Sequence, residues 1–456
     1  MLNEPILPLF NYQSEGANLM ASRDRFGLHD EMGIGKTATT VGAVNRIMGR
    51  RGVVVCPGML RENWLKEFKR FSTYPLRVCK GLNIHDFVAW SRDKYDVLVT
   101  SYELATKWLP EFQKLGEFLD FVAFDEAHYL KNITSARSKA MLGEDANGMD
   151  CILEWATHAW HVTGTPMAND PMDIYTFLRF AKAISLDPNE FMRVFFDSTL
   201  STYGVRNTVK PEMVPTLQAL IYNNAIRRTH QDVGMQLPKI WMQEVLIDGD
   251  TREITDFIKE HPGLEQSIID AIEQGGLSFL DAQHIATLRR LVGKAKSIPY
   301  VQMLKSEMDS GSGKRVIFGL HTEALHYIYN SMRKAGYDFV IVDGRTSETD
   351  RQIAVERFMK DPNCLGFIGH IRVAGVGLTL TESSEIDMFE SDWSPAGNAQ
   401  AIKRIHRYGQ TQDCRARFIT LARSVDEAVN KIVAGKTASI AQVEGSAMTA
   451  APLLTN

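Results

Sequence analysis

The sequence predicts an α/β protein made of two parallel-sheet lobes with helical insertions between them. Three observations predict it. Short apolar runs rich in β-branched residues alternate with helical patterns in both halves of the chain, the signature of βαβ units. Those runs are nearly unbroken in apolar residues, as strands buried on both faces must be. The stretch between the halves loses the alternation and reads mostly as helix.

In the first lobe, residues 1–170, the predicted strands are 26–30, 52–57, 96–102, 121–126 and 159–165. Residues 171–238 read as a helical insertion, interrupted by Gly204, Pro211, Pro215 and Pro238. Residues 239–296 read as a crossing segment, with 240–247 the only strand of the middle region, followed by a second helical insertion broken at Gly275-Gly276. The second lobe, 297–436, opens after the turn Gly311-Ser312-Gly313. Its predicted strands are 315–321, 338–343, 366–372, 385–390 and 417–422, with helices at 323–334 and 348–360. Residues 437–456, rich in Ala, Thr and Ser, read as a loose tail.

Composition narrows the function classes. The 456 residues are 44% hydrophobic and 23% charged, ordinary for a globular chain able to bury a large core. The formal net charge is −4, so any grip on nucleic acid must come from a local patch. Five cysteines, none in a CxxC pair, fit reduced thiols of a cytosolic protein better than a zinc ribbon or disulfide framework. No run approaches the ~20 apolar residues of a membrane span. The N-terminal stretch lacks the basic and apolar regions of a signal peptide.

Chemistry concentrates in three strings. Asp30-Glu31-Met32-Gly33-Ile34-Gly35-Lys36-Thr37 follows a predicted strand and opens a helix. Such a loop aims backbone N–H groups and the positive helix end at an anion. Gly33 and Gly35 allow close approach to phosphate, Lys36 would reach the β/γ-phosphates, and Thr37 would ligate Mg²⁺. The strict pattern wants Gly where this chain has Asp30. The bland alternative is a strand–turn–helix with a surface lysine.

The second string, Phe121-Val122-Ala123-Phe124-Asp125-Glu126-Ala127-His128, is a buried strand ending in two carboxylates. In a parallel sheet that end faces the same crevice as the phosphate loop. Asp125 would hold Mg²⁺, and Glu126 would orient and deprotonate the attacking water. The third string runs from Gln400 to Gln410. Arg404 and Arg407, three apart, would share a helix face. They are either a solvated basic face or a pair of arginine fingers, and spacing does not choose.

Together and in chain order, from Leu7 to Val433, these segments resemble the Swi/Snf-like family of superfamily 2 helicase-type ATPases. Leu9–Gly16 resembles its adenine-reading segment, with Gln13 as the reader, and 30–37 resembles motif I. Cys56-Pro57 with Trp64 resembles motif Ia, Thr100-Ser101-Tyr102-Glu103 motif Ib and Asp125–His128 motif II. Thr163-Gly164-Thr165-Pro166 with Asn169 resembles motif III. Arg227-Arg228 and Leu237-Pro238-Lys239 resemble the stretch before the inter-lobe crossing. Ala374–Leu380, containing Gly377 and Thr379, resembles motif V. Asp392-Trp393-Ser394-Pro395 leads into motif VI. The helical insertions fit the family's extra helical regions. Ala374 stands where a glycine is commoner and Thr379 where an asparagine is usual. Thr379 and the string Arg289–Lys296 lie nearer the annealing-helicase branch.

The resemblance implies RecA-like lobes with ATP and Mg²⁺ between them. Gln13, Gly33, Gly35, Lys36, Thr37 and Gly377 would bind nucleotide, and Thr37 and Asp125 the metal. Lys36, Asp125, Glu126, Gln400, Arg404 and Arg407 would serve catalysis. Pro57, Thr100, Ser101 and Thr379 would hold DNA phosphates. The implied activity is DNA-stimulated ATP hydrolysis driving movement along double-stranded DNA without sequence preference. The expected setting is the cytoplasm of a prokaryote or a virus-infected cell, with no membrane contact and no chromatin-reading domain beside the motor. The rivals are a strand-separating helicase, for which no wedge hairpin is evident, and a P-loop ATPase switch that ignores nucleic acid.

Overall fold

The computed structural model describes residues 6–116, 118–143, 151–164, 166, 171–201, 204–234, 237–268, 282–371, 378–392, 395–431, 433 and 448–450. The chain divides into two units: Met1–Thr199 with Asn207–Val233, and Leu200–Arg206 with Gly234–Asn456.

The first unit holds strands β1 (Arg25–Leu28), β2 (Gly52–Cys56), β3 (Val78–Lys80), β4 (Val97–Ser101), β5 (Leu119–Asp125) and β6 (Ala156–Val162). After a separate two-stranded pair, β7 (Phe196–Ser201) and β8 (Gly204–Val209), comes β9 (Ala225–Ile226). Its sheet runs β3-β4-β2-β5-β6-β1-β9, every neighbouring pair parallel. Strands β2 and β4 are buried throughout, as their valine-rich sequences require. Leu28 and Asp125 both pair with Val162. The carboxyl ends of β1, β6 and β5 therefore finish level, where ligands bind in parallel sheets.

The second unit holds β10 (Ile240–Ile247), β11 (Arg315–Gly319), β12 (Asp338–Val342), β13 (Cys364–His370), β14 (Glu385–Met388), β15 (Cys414–Leu421) and β16 (Met448–Ala450). Its parallel sheet runs β12-β13-β11-β14-β15-β10-β16. Alternation along the strands feeds two apolar layers. Val316, Phe318, Phe367 and Phe418 pack on one, and Ile317, Ile368 and Ile419 on the other. Through the sheet runs a buried ionic cluster. Asp387 receives Arg417 Nε at 2.7 Å, the Tyr300 hydroxyl at 2.7 Å and Arg315 at 3.1 Å. Burial alone would raise the Asp387 carboxyl, but the two guanidinium groups hold it below the usual carboxylate range.

Several expectations are corrected. The region 171–238 is not wholly helical, since it contains β7, β8 and β9. Two residues join β7 to β8, a connection only an antiparallel hairpin allows, so a hairpin is present where none was expected. The segment 240–247 is more than a crossing. All eight of its residues pair with β15, with Ile240, Met242 and Ile247 buried. Within the tail, Met448–Ala450 pairs with Ile240–Met242 at the sheet edge. β3, three residues long, is too short to stand out as an apolar run.

Candidate nucleotide site

The loop after β1 turns through two glycines with positive φ, Gly33 at 90° and Gly35 at 88°, which glycine adopts without steric penalty. A Cβ on Gly35 would lie 2.2 Å from Gln13 Nε2. Gly35 is the N-cap of the 12-residue helix Lys36–Ile47, whose first-turn N–H groups lack intrahelical partners. Lys36 Nζ donates to the carbonyls of Asp30 at 2.9 Å and Glu31 at 3.2 Å, so the lysine arches over its own loop. Thr37 follows, half-buried. Gln13 is buried; its Nε2 donates to Ile34 O at 3.3 Å and its Oε1 accepts from Phe10 N at 3.0 Å. Tyr12 Oη donates to the same Ile34 carbonyl at 2.8 Å. The segment expected to read adenine is thus fastened to the phosphate loop.

The acid pair ends β5. Asp125 is buried, and its Oδ2 accepts the Trp64 indole N–H at 2.8 Å, while Oδ1 accepts Glu126 N at 3.0 Å. Its backbone carbonyl accepts from the buried Tyr102 hydroxyl at 2.9 Å. Burial, and then the charge of Glu126, push the Asp125 carboxyl up to about 7; Trp64 and Lys36 pull the other way. The two strings share one sheet end, since Leu28 of β1 and Asp125 of β5 both pair with Val162. Glu126 has φ 50°, a left-handed backbone that costs a non-glycine residue about 1–3 kcal/mol and clusters at functional sites. His128 Nδ1 lies 3.3 Å from Glu126 Oε2 and 3.2 Å from Thr163 Oγ1. The donor set suits a nucleotide phosphate chain with a hard divalent cation: glycine turns, a helix N-terminus, a lysine, a hydroxyl and a carboxylate. Space is reserved at the loop as well, since a Cβ on Gly164 would come within 3.2 Å of Lys36 Nζ.

Beneath the loop, His29 Nε2 lies 3.1 Å from His161 Nδ1, both rings buried against Phe177. Burial drives both imidazoles down, His161 to about 3, so the pair is neutral.

In the second unit, the helix Pro395–Ile402 ends before Arg404. The expected shared helix face is corrected: Arg404 and Arg407 sit on the turns that follow. They still converge, because Arg404 Nη1 at 3.4 Å and Arg407 Nη1 at 3.1 Å both donate to the Leu378 carbonyl. Arg404 Nε also donates to the carbonyl of Gln400 at 3.1 Å. Gln410 locks these turns by donating to the carbonyls of Thr381, Ser383 and Ile405.

Gln13, Gly33, Gly35, Lys36, Thr37, Asp125 and Glu126 thus gather in the first unit, and Gln400, Arg404 and Arg407 in the second. Gly377 lies outside the described residues. The expected DNA contacts fare differently. Thr100 is wholly buried inside β4, Pro57 is buried, and Ser101 caps the next helix by accepting from Leu104 N at 3.3 Å. The Thr100 hydroxyl thus offers no exposed surface to a phosphate in this structure. Thr379 is half-buried. Sequence reasoning missed the roles of Trp64, Tyr102, Arg228 and His230. Asp30 and Glu31, buried side chains in the loop itself, were the available signal.

Comparison with known proteins matches these features to a family. The SNF2-related domain matches residues 12–280 and the helicase conserved C-terminal domain residues 299–409. The human SWI/SNF-related matrix-associated actin-dependent regulator of chromatin subfamily A member 1 is 26% identical over 92% of this chain and 42% of its own length. The Xenopus tropicalis subfamily A-like protein 1 is 24% identical over 92% of this chain and 43% of its own. The chain therefore spans less than half the length of these curated relatives. A solved structure described as the Sulfolobus solfataricus SWI2/SNF2 ATPase core in complex with dsDNA aligns with 98% of this chain and 96% of its own, at 21% identity and a TM-score of 0.44. With the SNF2-related domain spanning more than half of it and the helicase C-terminal domain following, the chain belongs to the SNF2-related family of helicase-type ATPases.

Proposed function

We propose that the chain is an ATP-driven motor that moves along double-stranded DNA without reading its sequence. The Lys36 loop and the acid pair of the first unit would hold ATP, and Gln400, Arg404 and Arg407 are the catalytic candidates of the second unit. The observation that carries the reading is the level finish of β1, β6 and β5, where a Cβ on Gly164 would come within 3.2 Å of Lys36 Nζ and the neighbouring Thr163 Oγ1 lies 3.2 Å from His128 Nδ1. Asp125 and Thr37 would hold Mg²⁺, which when bound neutralises phosphate charge. Lys36 would exchange its two loop carbonyls for phosphate oxygens. Glu126 would orient the attacking water and take its proton on Oε2, with His128 holding that oxygen in place. Arg404 and Arg407 would stabilise charge on the transferred phosphoryl group. Closure around nucleotide and release after hydrolysis would follow from the differential affinity of ATP for the closed state.

The relatives' printed names speak of chromatin, which supports a DNA track. The test is the ATPase rate without polymer and with single-stranded DNA, duplex DNA and RNA. Duplex should stimulate most. Equal rates throughout would favour a nucleotide switch. A second reading, strand separation, gains a feature from the β7–β8 hairpin, a shape suited to a wedge. Release of a labelled strand from a tailed duplex distinguishes it.

A further inference from the structure

The phosphate loop departs from the usual pattern at Asp30, and the structure gives that departure a partner. Asp30 is 1% exposed. Its Oδ1 accepts Arg228 N at 3.0 Å and Arg228 Nε at 3.0 Å, and its Oδ2 accepts Arg228 Nη2 at 2.5 Å. The next residue repeats the device. Glu31, also 1% exposed, accepts His230 N at 3.1 Å and meets His230 Nδ1 at 2.8 Å through Oε2. Backbone pairing continues the seam, with Glu31 N donating to Arg228 O and His29 N to Ile226 O, each at 2.8 Å. Arg227 Nη1 adds a bond to the His29 carbonyl at 3.3 Å.

Arg228 also holds the segment expected to read the base. Its Nη1 donates to the Tyr12 carbonyl, and its guanidinium lies 5.3 Å from the centre of the Tyr12 ring. A Cβ on Gly16 would come within 2.7 Å of Arg228 Nη2, so the helix Asn11–Ala21 is packed against this side chain. One arginine thus joins the base-side helix, the phosphate loop and the last segment of the first unit. That segment ends at Val233, where the chain passes into the second unit.

We infer that Arg228 is a positioning residue of the nucleotide site. Through Asp30 it fixes the phosphate loop against the base-side helix. It also ties nucleotide occupancy to the order of residues 226–233, the exit from the first unit. The inference rests on the ATP-site reading above. A planar guanidinium satisfies both carboxylate oxygens at once, and a lysine cannot reproduce that fork. A glycine at position 30 would leave Arg228 buried without its counter-charge.

The test uses the full chain, fluorescent ADP and no DNA. Wild type, Arg228→Lys, Arg228→Ala, Asp30→Asn and the Asp30→Asn/Arg228→Ala double variant are compared for ADP affinity. Hydrogen exchange of residues 226–233 is followed with and without ADP. Arg228→Lys and Asp30→Asn should each weaken ADP binding by about 5–150-fold, the usual size of a coupling between sites. The double variant should be little worse than either single one, because both remove the same interaction. ADP should slow exchange at 226–233 in wild type and lose that effect in Asp30→Asn. Should Arg228→Ala fail to fold, Asp30→Asn and Arg228→Lys decide alone. Wild-type affinity in both of those variants, or exchange at 226–233 indifferent to ADP in wild type, overturns the inference. Lys36→Ala separates the two readings. If wild type binds ADP, Lys36→Ala does not and the Arg228 and Asp30 variants bind normally, the ATP site stands and only this inference falls.

Discussion

Trp64 gives its indole N–H to Asp125 Oδ2 at 2.8 Å, and both groups are buried. The tryptophan, in the helix Arg61–Phe71, fixes Oδ2 while Glu126 N fixes Oδ1 at 3.0 Å, so the two donors together set the orientation of the Asp125 carboxyl. Burial pushes that carboxyl up to about 7, and the indole N–H opposes the rise by favouring the charged form. Trp64→Phe keeps most of the bulk and deletes the donor. The Mg²⁺ concentration for half-maximal ATPase should rise several-fold, with nucleotide affinity in the absence of Mg²⁺ unchanged. An unaltered Mg²⁺ requirement would mean that the bond is only packing.

Hydrolysis is the second point of test. Glu126→Gln preserves shape but removes the proton acceptor, so turnover should vanish while ATP still binds. Lys36→Ala should lose both together. Near-normal turnover in Glu126→Gln would remove the acid pair from the chemistry.

The arginines should behave differently from the lysine. Arg404→Ala and Arg407→Ala should each lower turnover by ~10³-fold or more, the scale of an arginine acting on a phosphoryl group. DNA retention on a column should stay near wild type. Normal hydrolysis in both variants would leave them as clips on the Leu378 carbonyl.

The neutral pair His29 and His161 sets a pH dependence of stability. Unfolded histidine titrates near 6.5, whereas folded His161 stays neutral down to about 3. Between those values the unfolded chain binds the extra proton, so stability falls as pH drops through that window. The melting temperature should decline from pH 7 to pH 5, and His161→Gln should flatten the decline. A variant with the wild-type slope would place the acid sensitivity elsewhere.

How much of this was written legibly in the sequence follows from range. Both sheets were readable because β2, β4, β5 and β11 are short apolar runs with nowhere to go but a parallel core. The phosphate loop and the acid pair were readable because each is contiguous. The partnership of Asp30 with Arg228 was not, since 198 positions separate them and no periodicity links a loop carboxylate to a distant arginine. Thr100 misled for the opposite reason. Its place in the string resembling motif Ib implied a phosphate contact, but it sits in a five-residue strand buried at every position. The two-residue β9 was too short to stand out, and the β7–β8 hairpin hid behind Gly204 and Pro211. The arginine spacing suggested a helix, yet the helix stops at Ile402 and the Leu378 carbonyl gathers both side chains instead.

Salt should report how the track is gripped. A motor indifferent to sequence must hold phosphates, and each contact on B-DNA contributes a log–log slope of about −0.9. With four to six contacts on a chain of net charge −4, the affinity for duplex should fall with a slope of roughly −4 to −5. Unrelated sequences of equal length should bind alike. A slope near zero would contradict a phosphate grip.

Movement itself is tested most directly by displacing a third strand from a triplex on a long duplex. Wild type should release the third strand in an ATP-dependent way and leave the duplex strands paired, and Glu126→Gln should release nothing. Duplex-stimulated ATP hydrolysis with no release of the third strand would contradict translocation and leave an ATPase that binds DNA without moving along it.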